Sequence, residues 1–343
     1  MNCLGIESTA HTFGVSIVRS DLEIGGANYE KATCEIKSNE KDTYTTIKGG
    51  LIPRELAEHH YKIASTVVKQ ALEKAGVTLK DIDLIAFSQG PGIGNALRCG
   101  AVSARQLSLV TGKPIIGVNH CVAHIEIGRK LCAAPDPVLL YASGANTQII
   151  CYENGYYRVF GETLDTGIGN FLDSFGRELG LGFPAGPVLD KMYFEGKELL
   201  DLPYTVKGMD LAFSGLLTAA TKKIPLIEKG ELKKEDLVFS ALHNAFAMLT
   251  EVTERALAHT RKEQVILGGG VGCSKALQQM VGKMCEERGA KLFVPPNGVM
   301  VDNAAQIGWL GILMYASGAK TTINNSAIMP RQRTDDIKVT WRN

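Results

Sequence analysis

Short apolar runs on either side of small polar tips predict strand hairpins in two parts of the chain. Cys3 to Ile6 and Gly14 to Val18 flank the tip Glu7 to Thr12, a pattern of strand, turn and strand. Val138 to Tyr141 and Gln148 to Tyr152 flank a second small polar tip. The two similar tips suggest a duplicated unit, although the identity between them is too weak to prove a repeat.

Helical spacing of apolar positions follows the first hairpin. Leu56, Ile63, Val67 and Ala71 recur at this spacing and predict a helix over 53–74. Strand and helix then alternate towards the end of the chain. We predict strands over 83–88, 115–118 and 264–267, and helices over 101–110, 121–131, 211–220, 237–259, 275–287 and 303–316.

Length and charge bound the class of protein. The chain has 343 residues, and because single cores stop growing near ~250–300 residues, two domains are the default expectation. Lys and Arg total 37 against 36 Asp and Glu. This balance gives no overall field that would attract nucleic acid, so any RNA contact must use a local patch or a partner.

The cysteines and the apolar segments indicate a cytoplasmic protein. Eight cysteines are scattered without a CxxC pair, which is typical of reduced, buried thiols. The chain begins directly with a predicted strand, without the basic and apolar regions of a signal peptide. Its most apolar stretch, 304–316, is shorter than the roughly 18 residues of a membrane span, so no membrane association is expected.

A histidine pair is the first candidate for chemistry. His120 and His124 are four residues apart in a predicted helix, so both imidazoles lie on one face and could chelate a metal. Two histidines satisfied near a helix start would give the same pattern. Cys121 stands where a metalloprotease of the HExxH type needs its glutamate, which argues against that class. Asp302 could complete a set of two histidines and one carboxylate.

Glycine-rich turns offer further candidates. Gly268 to Gly270 follow a strand and precede a helix, where a backbone can approach a nucleotide, but a simple tight turn has the same pattern. The run Gly90 to Gly94 is more typical of a plain loop. Asp165 and Asp173 lie around the glycine-rich segment 166–170, where they could meet ribose hydroxyls or a metal, or cap a helix.

Taken together, six ordered segments resemble the TsaD/OSGEP family, and the resemblance extends to about Trp341. It is closest to the archaeal and eukaryotic branch that works in the KEOPS complex. The segments are Gly5 to Thr12, Gly90 to Gly94, Asn119 to His124, Tyr141 to Gly144, Phe213 to Leu216 and Gly268 to Val271.

The resemblance implies an α/β fold of the actin/Hsp70/sugar-kinase (ASKHA) type, with two duplicated lobes and a nucleotide cleft. The lobes would span 1–130 and 131–300, a closing helix at 301–330 would return to the first lobe, and 331–343 would form an extended tail. The implied activity is transfer of threonylcarbamoyl from threonylcarbamoyl-AMP to N6 of the adenosine 3′ of the anticodon, in tRNAs that read ANN codons, with release of AMP.

The resemblance also implies site residues. One divalent metal, iron or else zinc, would be held by His120, His124, Tyr141 and Asp302. The acyl-adenylate would contact Tyr141, Ala142, Ser143, Gly144, Ala145, Asp173, Gly186, Asp190 and Ser274. Adenine, from this substrate or from ATP, would pass Gly268, Gly269 and Gly270. Ala145 and Ser274 depart from the glycine and asparagine usual in the family, which leaves the contacts there in doubt.

Glu7, at the tip of the first hairpin and expected to face the cleft, is a candidate for positioning the amine or accepting its proton, or a structural turn carboxylate. Expected partners are tRNA and the KEOPS subunits, a small atypical kinase/ATPase and a small dimerising subunit. Two alternatives are a small-molecule kinase of the same fold and a non-catalytic scaffold paralogue. The histidine pair argues against the kinase, and retention of all four candidate ligands argues against the scaffold.

Overall fold

The computed structural model describes residues 1–26, 28–46 and 52–342, which form two compact units. The first unit comprises Met1–Pro135, Glu153–Tyr157 and Asp302–Asn343, and the second comprises Asp136–Tyr152 and Arg158–Val301. The chain therefore leaves the first unit after residue 135, contributes a short segment to it at 153–157, and returns to it at residue 302. The sequence predicted the boundaries of the second lobe at 130/131 and 300/301.

Strands and helices alternate through both units. The strands are β1 (Asn2–Glu7), β2 (Thr12–Arg19), β3 (Glu35–Thr43), β4 (Leu84–Gly90), β5 (Ile115–Asn119), β6 (Val138–Ala142), β7 (Thr147–Glu153), β8 (Tyr156–Glu162), β9 (Val206–Lys207), β10 (Asp210–Leu211), β11 (Gln264–Gly268) and β12 (Lys291–Phe293). The helices are α1 (Pro53–Ala75), α2 (Gly94–Thr111), α3 (His120–Cys132), α4 (Ile168–Glu178), α5 (Gly186–Tyr193), α6 (Ser214–Glu228), α7 (Lys234–Thr260), α8 (Lys275–Glu287), α9 (Asn297–Met300) and α10 (Ala304–Ala316).

The two five-stranded sheets have the same topology. The first has the order β3-β2-β1-β4-β5 and the second the order β8-β7-β6-β11-β12. In each sheet the central strand pairs antiparallel with its hairpin partner and parallel with the next strand, β4 or β11. A further parallel strand, β5 or β12, completes the sheet. This repetition supports the duplicated α/β architecture that the two hairpin tips suggested.

Alternation along β1 directs successive residues to opposite faces of the first sheet. Leu4 and Ile6 belong to a core cluster with Val67 of α1 and Ala101 of α2. Gly5 between them faces α10, where a Cβ atom would lie only 2.5 Å from the carbonyl oxygen of Ala304. Helix α10 therefore packs directly on β1, and the residue that precedes this helix by two positions is Asp302.

Several predicted elements need correction. The helix predicted over 101–110 begins at Gly94, and the helix predicted over 211–220 is α6, which begins at Ser214. Strand β3 was missed because its sequence is mostly polar. Helix α4 was missed because glycines at its start were interpreted as a loop, although Phe171 and Phe175 are buried at helical spacing. Both errors come from local composition outweighing the spacing of buried residues.

The tail from residue 331 belongs to the first unit. It contains a short 3₁₀ turn, Thr334–Asp336, and Lys338 forms a β-bridge with Tyr156. Trp341 is buried, and its indole Nε1 donates to Glu126 at 2.7 Å. Near its end, the tail therefore contributes a side chain to the first unit's core. The expectation of an extended tail did not include this contact.

The eight cysteines are thiols outside disulfides, and five of them are buried, as their pattern predicted: Cys3, Cys99, Cys121, Cys151 and Cys285. In the described part of the chain, no helix combines the length and apolar character that crossing a membrane requires.

Asp236→Ala should destabilise the second unit by about 2 kcal/mol at pH 7. The Asp236 carboxylate accepts from the backbone nitrogens of Lys197 at 2.7 Å and Glu198 at 3.1 Å, and these bonds lower its pKa. Because the folded pKa is depressed, this stability is present above the ordinary aspartate pKa and is lost as the pH falls through the folded value. Urea unfolding from pH 7 to 3 should show the difference from wild type shrinking with acidity. An equal loss in Asp201→Ala, at an exposed aspartate, would contradict this.

Candidate metal and adenylate sites

Three side chains of the first unit converge on one point. The Nε2 atoms of His120 and His124 are 3.2 Å apart. Oδ1 of Asp302 lies 3.3 Å from Nε2 of His120 and 3.5 Å from Nε2 of His124. Both histidines are buried and Asp302 is partly buried. The structure therefore brings together the two histidines and the carboxylate that the sequence had singled out.

This spacing fits a metal ion. Two ligand atoms about 2.0–2.1 Å from one zinc ion, at the tetrahedral angle, lie about 3.3 Å apart. The three measured separations, 3.2, 3.3 and 3.5 Å, match that value closely. Two imidazole nitrogens and one carboxylate oxygen are also a donor set that suits zinc and non-haem iron. The residues present can therefore supply three ligands to one divalent ion.

Two helix starts position these ligands. His120 is the first residue of α3, directly after β5, and Asn119 caps this helix by accepting from the backbone nitrogen of Val122 at 3.1 Å. Asp302 lies just before α10, which Asn303 caps by accepting from the backbone nitrogen of Gln306 at 3.1 Å. Because both caps fix where the helices begin, the ligands are held by rigid elements.

Glu7 orients His120. Its Oε2 accepts from Nδ1 of His120 at 2.9 Å, and its Oε1 accepts from both the backbone nitrogen and the hydroxyl of Thr9 at 2.6 Å. A metal-binding histidine commonly donates its second ring nitrogen to a carboxylate in this way, which directs the other nitrogen to the metal. Glu7 is fully buried. Both of its oxygens are engaged, which favours orientation of His120 over proton transfer.

The pKa shifts of His124 and Asp302 favour the protonation states that bind a metal. Burial lowers the pKa of His124, which keeps its imidazole neutral near pH 7. Burial raises the pKa of Asp302, but hydrogen bonds from His120 and His124 outweigh this effect and hold the pKa well below its ordinary value. A neutral imidazole and an ionised carboxylate are the forms that coordinate a cation.

Gln306 is a site residue that sequence reasoning missed. Its side-chain nitrogen lies 3.4 Å from Nδ1 of His120, and its side-chain oxygen accepts from the Asn303 amide at 3.1 Å. It is fully buried. A signal was available, because Gln306 follows Asp302 by four residues and therefore shares its face at the start of a predicted helix.

In the second unit, the predicted adenylate residues of the β6–β7 turn meet two glycine-containing segments. Ser143 and Gly144 accept through their carbonyl oxygens from the backbone nitrogens of Gly169 at 3.0 Å and Asn170 at 2.9 Å, at the start of α4. Gly269, with φ +83°, lies so close to this turn that a Cβ would be 2.3 Å from the Ala142 carbonyl oxygen. The structure therefore joins the segments 141–145 and 268–270 in one place. Within that turn, Gly144 and Ala145 are exposed.

The remaining predicted contacts fall into two pairs. Oδ1 of Asp173, on α4, accepts from the backbone nitrogen of Ala185 at 2.9 Å, directly before Gly186. Asp190 accepts from the Ser274 hydroxyl at 2.5 Å and from the backbone nitrogen of Lys275 at 3.0 Å. Ser274 also caps α8. A serine therefore fulfils the capping role at this position, where the family usually has asparagine.

Asp165 and Tyr141 are the remaining candidates. Asp165 accepts from the backbone nitrogens of Phe213 at 3.0 Å and Ser214 at 2.8 Å, so it caps the start of α6. This is the capping alternative that the sequence left open. Tyr141, the expected fourth metal ligand, is the penultimate residue of β6 in the second unit and is buried. The three converging ligands all belong to the first unit.

Comparison with known proteins identifies close relatives of this chain. Residues 32–309 match the model of the family described as TsaD, tRNA N6-adenosine threonylcarbamoyltransferase. A protein of that name from Thermococcus kodakarensis is 50% identical over 341 residues, covering 99% of this chain and 100% of the relative. A probable bifunctional tRNA threonylcarbamoyladenosine biosynthesis protein from Methanocaldococcus jannaschii is 49% identical and covers 99% of this chain, which spans 60% of that longer protein.

Solved structures show the same fold at low sequence identity. T. kodakarensis HypF aligns with a TM-score of 0.62 and 15% identity, covering 95% of this chain and 49% of HypF. The activator of 2-hydroxyisocaproyl-CoA dehydratase from Clostridium difficile aligns with a TM-score of 0.53 and 13% identity, covering 94% and 99% of the two chains. These are ASKHA-type proteins, which confirms the expected fold class. The family match and the full-length identity together show that the chain belongs to the TsaD family of tRNA N6-adenosine threonylcarbamoyltransferases.

Proposed function

We propose that this protein transfers threonylcarbamoyl from threonylcarbamoyl-AMP to N6 of the adenosine 3′ of the anticodon in tRNAs that read ANN codons. Membership of the transferase family is the observation that carries this proposal. The convergence of His120, His124 and Asp302 supports it, because a paralogue that had become a scaffold would have no need to keep these three side chains together.

One divalent metal ion, iron or else zinc, is the proposed cofactor. His120, His124 and Asp302 would hold it, and Tyr141 would add a fourth ligand from the second unit. When bound, such an ion can polarise the carbamoyl carbonyl or orient the threonyl group. Glu7 keeps Nε2 of His120 directed at the ion by accepting from Nδ1 of the same ring.

The second unit would hold the acyl-adenylate. We assign this contact to the turn residues Tyr141, Ala142, Ser143, Gly144 and Ala145, together with Asp173, Gly186, Asp190 and Ser274, and the adenine of the substrate or of ATP to Gly268, Gly269 and Gly270. The exposed backbone of Gly144 and Gly270 can approach a ligand closely because neither residue has a side chain. Asp173 and Asp190 support this surface by fixing the starts of α5 and α8.

The reaction then requires mainly that the N6 amine is aligned with the carbamoyl carbonyl carbon. The N6 amine attacks the carbamoyl carbonyl carbon, the bond from that carbon to the phosphate oxygen breaks, and AMP leaves with the electron pair while N6 loses a proton. Because the mixed anhydride is already activated, positioning the weakly nucleophilic amine accounts for much of the acceleration required. Both oxygens of Glu7 are already hydrogen-bonded, so we assign it to positioning His120.

Partner proteins are expected to assist with tRNA. The near-zero net charge gives the chain no general attraction to RNA. We therefore propose that it works in the cytoplasm with KEOPS subunits, namely a small atypical kinase/ATPase and a small dimerising subunit. The longer bifunctional relative, of which this chain spans 60%, supports a functional connection to a second protein module.

The test is nucleoside mass spectrometry of unmodified tRNA incubated with synthetic threonylcarbamoyl-AMP, the protein and the partner subunits. We expect threonylcarbamoyladenosine at the position 3′ of the anticodon and an equal amount of AMP. A parallel reaction with ATP and small-molecule acceptors, without threonylcarbamoyl-AMP, should yield no phosphorylated product. Phosphorylation there would favour the kinase alternative, and absence of product in both reactions would favour the scaffold.

A further inference from the structure

Two consecutive histidines of α1 form a hydrogen-bonded chain that has no part in the sites above. The Nδ1 atoms of His59 and His60 are 3.3 Å apart. Nε2 of His59 lies 3.0 Å from Oδ1 of Asp42 on β3, and Nε2 of His60 lies 3.0 Å from the carbonyl oxygen of Ala10. The chain therefore runs from an exposed carboxylate, through both rings, to the tip between β1 and β2.

The number of protons in this chain of hydrogen bonds gives the charge of the histidine pair. A carbonyl oxygen and an ionised carboxylate only accept hydrogen bonds, so both Nε2 atoms must carry protons. A neutral imidazole has one N–H, and two neutral rings would therefore direct two Nδ1 lone pairs at each other across 3.3 Å. The contact becomes a hydrogen bond only when one Nδ1 also carries a proton. The pair then has three ring protons and one positive charge.

The surroundings decide which ring carries the charge. His60 is fully buried and its ring packs against Phe13, with ring centroids 5.6 Å apart. Burial lowers the pKa of His60 to about 4, so His60 is neutral near pH 7. The side chain of His59 is 22% exposed and faces the Asp42 carboxylate. His59 is therefore the imidazolium that donates from Nδ1 to His60.

The Ala10 contact leads to the metal site. Ala10 lies in the tip that follows Glu7, and the carbonyl oxygen of Thr9 in the same tip accepts from the backbone nitrogen of Ile93 at 2.8 Å. Thr9 donates twice to Glu7, and Glu7 accepts from His120. A displacement of Ala10 would therefore reach the carboxylate that orients His120.

We propose that His59 and His60 share one excess proton and that His60 is a positioning residue, which holds Ala10 and thereby the Glu7 carboxylate in place. Loss of the proton at high pH sets two lone pairs against each other, and a second proton at low pH sets two N–H groups against each other. Either change breaks the contact between the two Nδ1 atoms, which holds the His60 ring in place against Ala10. The tip is therefore fixed only over an intermediate range of pH.

The other charged and titratable groups around the pair have defined places. Tyr44, next to β3, packs edge-on against His59 and donates through its hydroxyl to Glu55 of α1 at 2.7 Å. His11 and Glu7 lie on the tip itself, and both act on His60 through charge: His11 opposes its protonation and Glu7 favours it. Asp42 is the one of these groups that bonds directly to His59, and it is therefore the group to change.

The first test uses long-range ¹H–¹⁵N spectra of the full-length protein labelled in its seven histidines. At pH 7 we expect His59 with both nitrogens protonated and His60 neutral with its proton on Nε2. In Asp42→Asn, which removes the carboxylate bonded to Nε2 of His59, we expect the His59 signals at pH 7 to move towards those of a neutral ring. Asp201→Asn, at an exposed aspartate of the second unit, should leave the His59 signals unchanged. Two neutral rings at pH 7 in the wild type, or unchanged His59 signals in Asp42→Asn, would overturn the shared proton.

The second test measures transfer and rests on the proposed function. His60→Leu should lower kcat about tenfold with little change in KM for threonylcarbamoyl-AMP. His60→Gln, whose amide can donate to Ala10, should stay within about threefold of wild type. We expect kcat of the wild type to decline at high pH, and we expect no such decline in His60→Gln. Wild-type kcat in His60→Leu would overturn the positioning role. If the wild type itself transfers nothing, the proposed function fails while the NMR test still decides the shared proton.

Discussion

A variant carrying His120→Ala and His124→Ala should purify without stoichiometric metal and transfer threonylcarbamoyl at least about 100-fold more slowly than wild type. Of the three converging side chains, the two substitutions remove both nitrogen donors and leave only the Asp302 carboxylate. A single carboxylate holds a divalent ion far more weakly than three converging ligands. Elemental analysis of the purified protein and nucleoside mass spectrometry of the tRNA would measure the two effects separately.

Loss of folding must be distinguished from loss of metal, because Glu7 is fully buried and accepts a hydrogen bond from His120. Circular dichroism and thermal melting of the variant provide this check. His259→Ala is the matched control. His259 is exposed in the second unit, and its ring packs against that of Phe160, with ring centroids 5.6 Å apart. It should keep wild-type metal and activity. A folded double variant that transfers at the wild-type rate would exclude a catalytic role for the metal.

The sequence predicted the histidine pair because helical spacing is a local property. His120 directly precedes the helix expected over 121–131 and His124 lies in its first turn, so their spacing of four residues placed both side chains on one face. The contribution of Asp302 was harder to predict. Asp302 follows His124 by 178 positions, and no local pattern fixes the distance between residues so far apart in sequence. The fold resolves this through α10, which returns to the first unit and packs across β1 next to the hairpin tip.

The role of Glu7 could not be read from its position in a polar tip. Tips are usually exposed, and a glutamate there suggested a side chain facing a ligand. In the structure the tip is covered, because the carbonyl oxygen of Thr9 accepts from Ile93 and that of Ala10 meets His60. Long-range contacts of this kind depend on how α1 and α2 pack on the sheet, which spacing alone does not give.

The aspartates show a different ambiguity. Asp165, Asp173 and Asp190 all suggested ligand contacts, yet each accepts hydrogen bonds from a backbone nitrogen at or beside the start of a helix. Capping and ligand binding both require an acceptor at a helix N-terminus, so residue type cannot separate them. Helix α4 itself was hidden behind glycines that the structure uses for close packing against the turn at Gly144.

Gly5→Ala should destabilise the protein by at least about 3 kcal/mol and also weaken metal binding. A methyl group at this position would lie 2.5 Å from the carbonyl oxygen of Ala304 and 2.6 Å from the backbone nitrogen of Gly308. Both atoms belong to the backbone of α10, so no side-chain rotation can relieve the contact and the helix must move away from β1. Thermal melting and urea unfolding would measure the loss of stability.

The metal effect follows from where α10 begins. Asp302 lies two residues before this helix, and its oxygen must stay within about 3.5 Å of both histidine nitrogens to share one ion. Gly14→Ala is the matched control, because it adds a methyl group to the neighbouring strand 3.5 Å from the Ala304 side chain, an ordinary contact. It should change stability by less than about 1 kcal/mol and leave metal content unchanged. Equal behaviour of the two variants would show that the close approach of α10 to β1 is not what sets the position of Asp302.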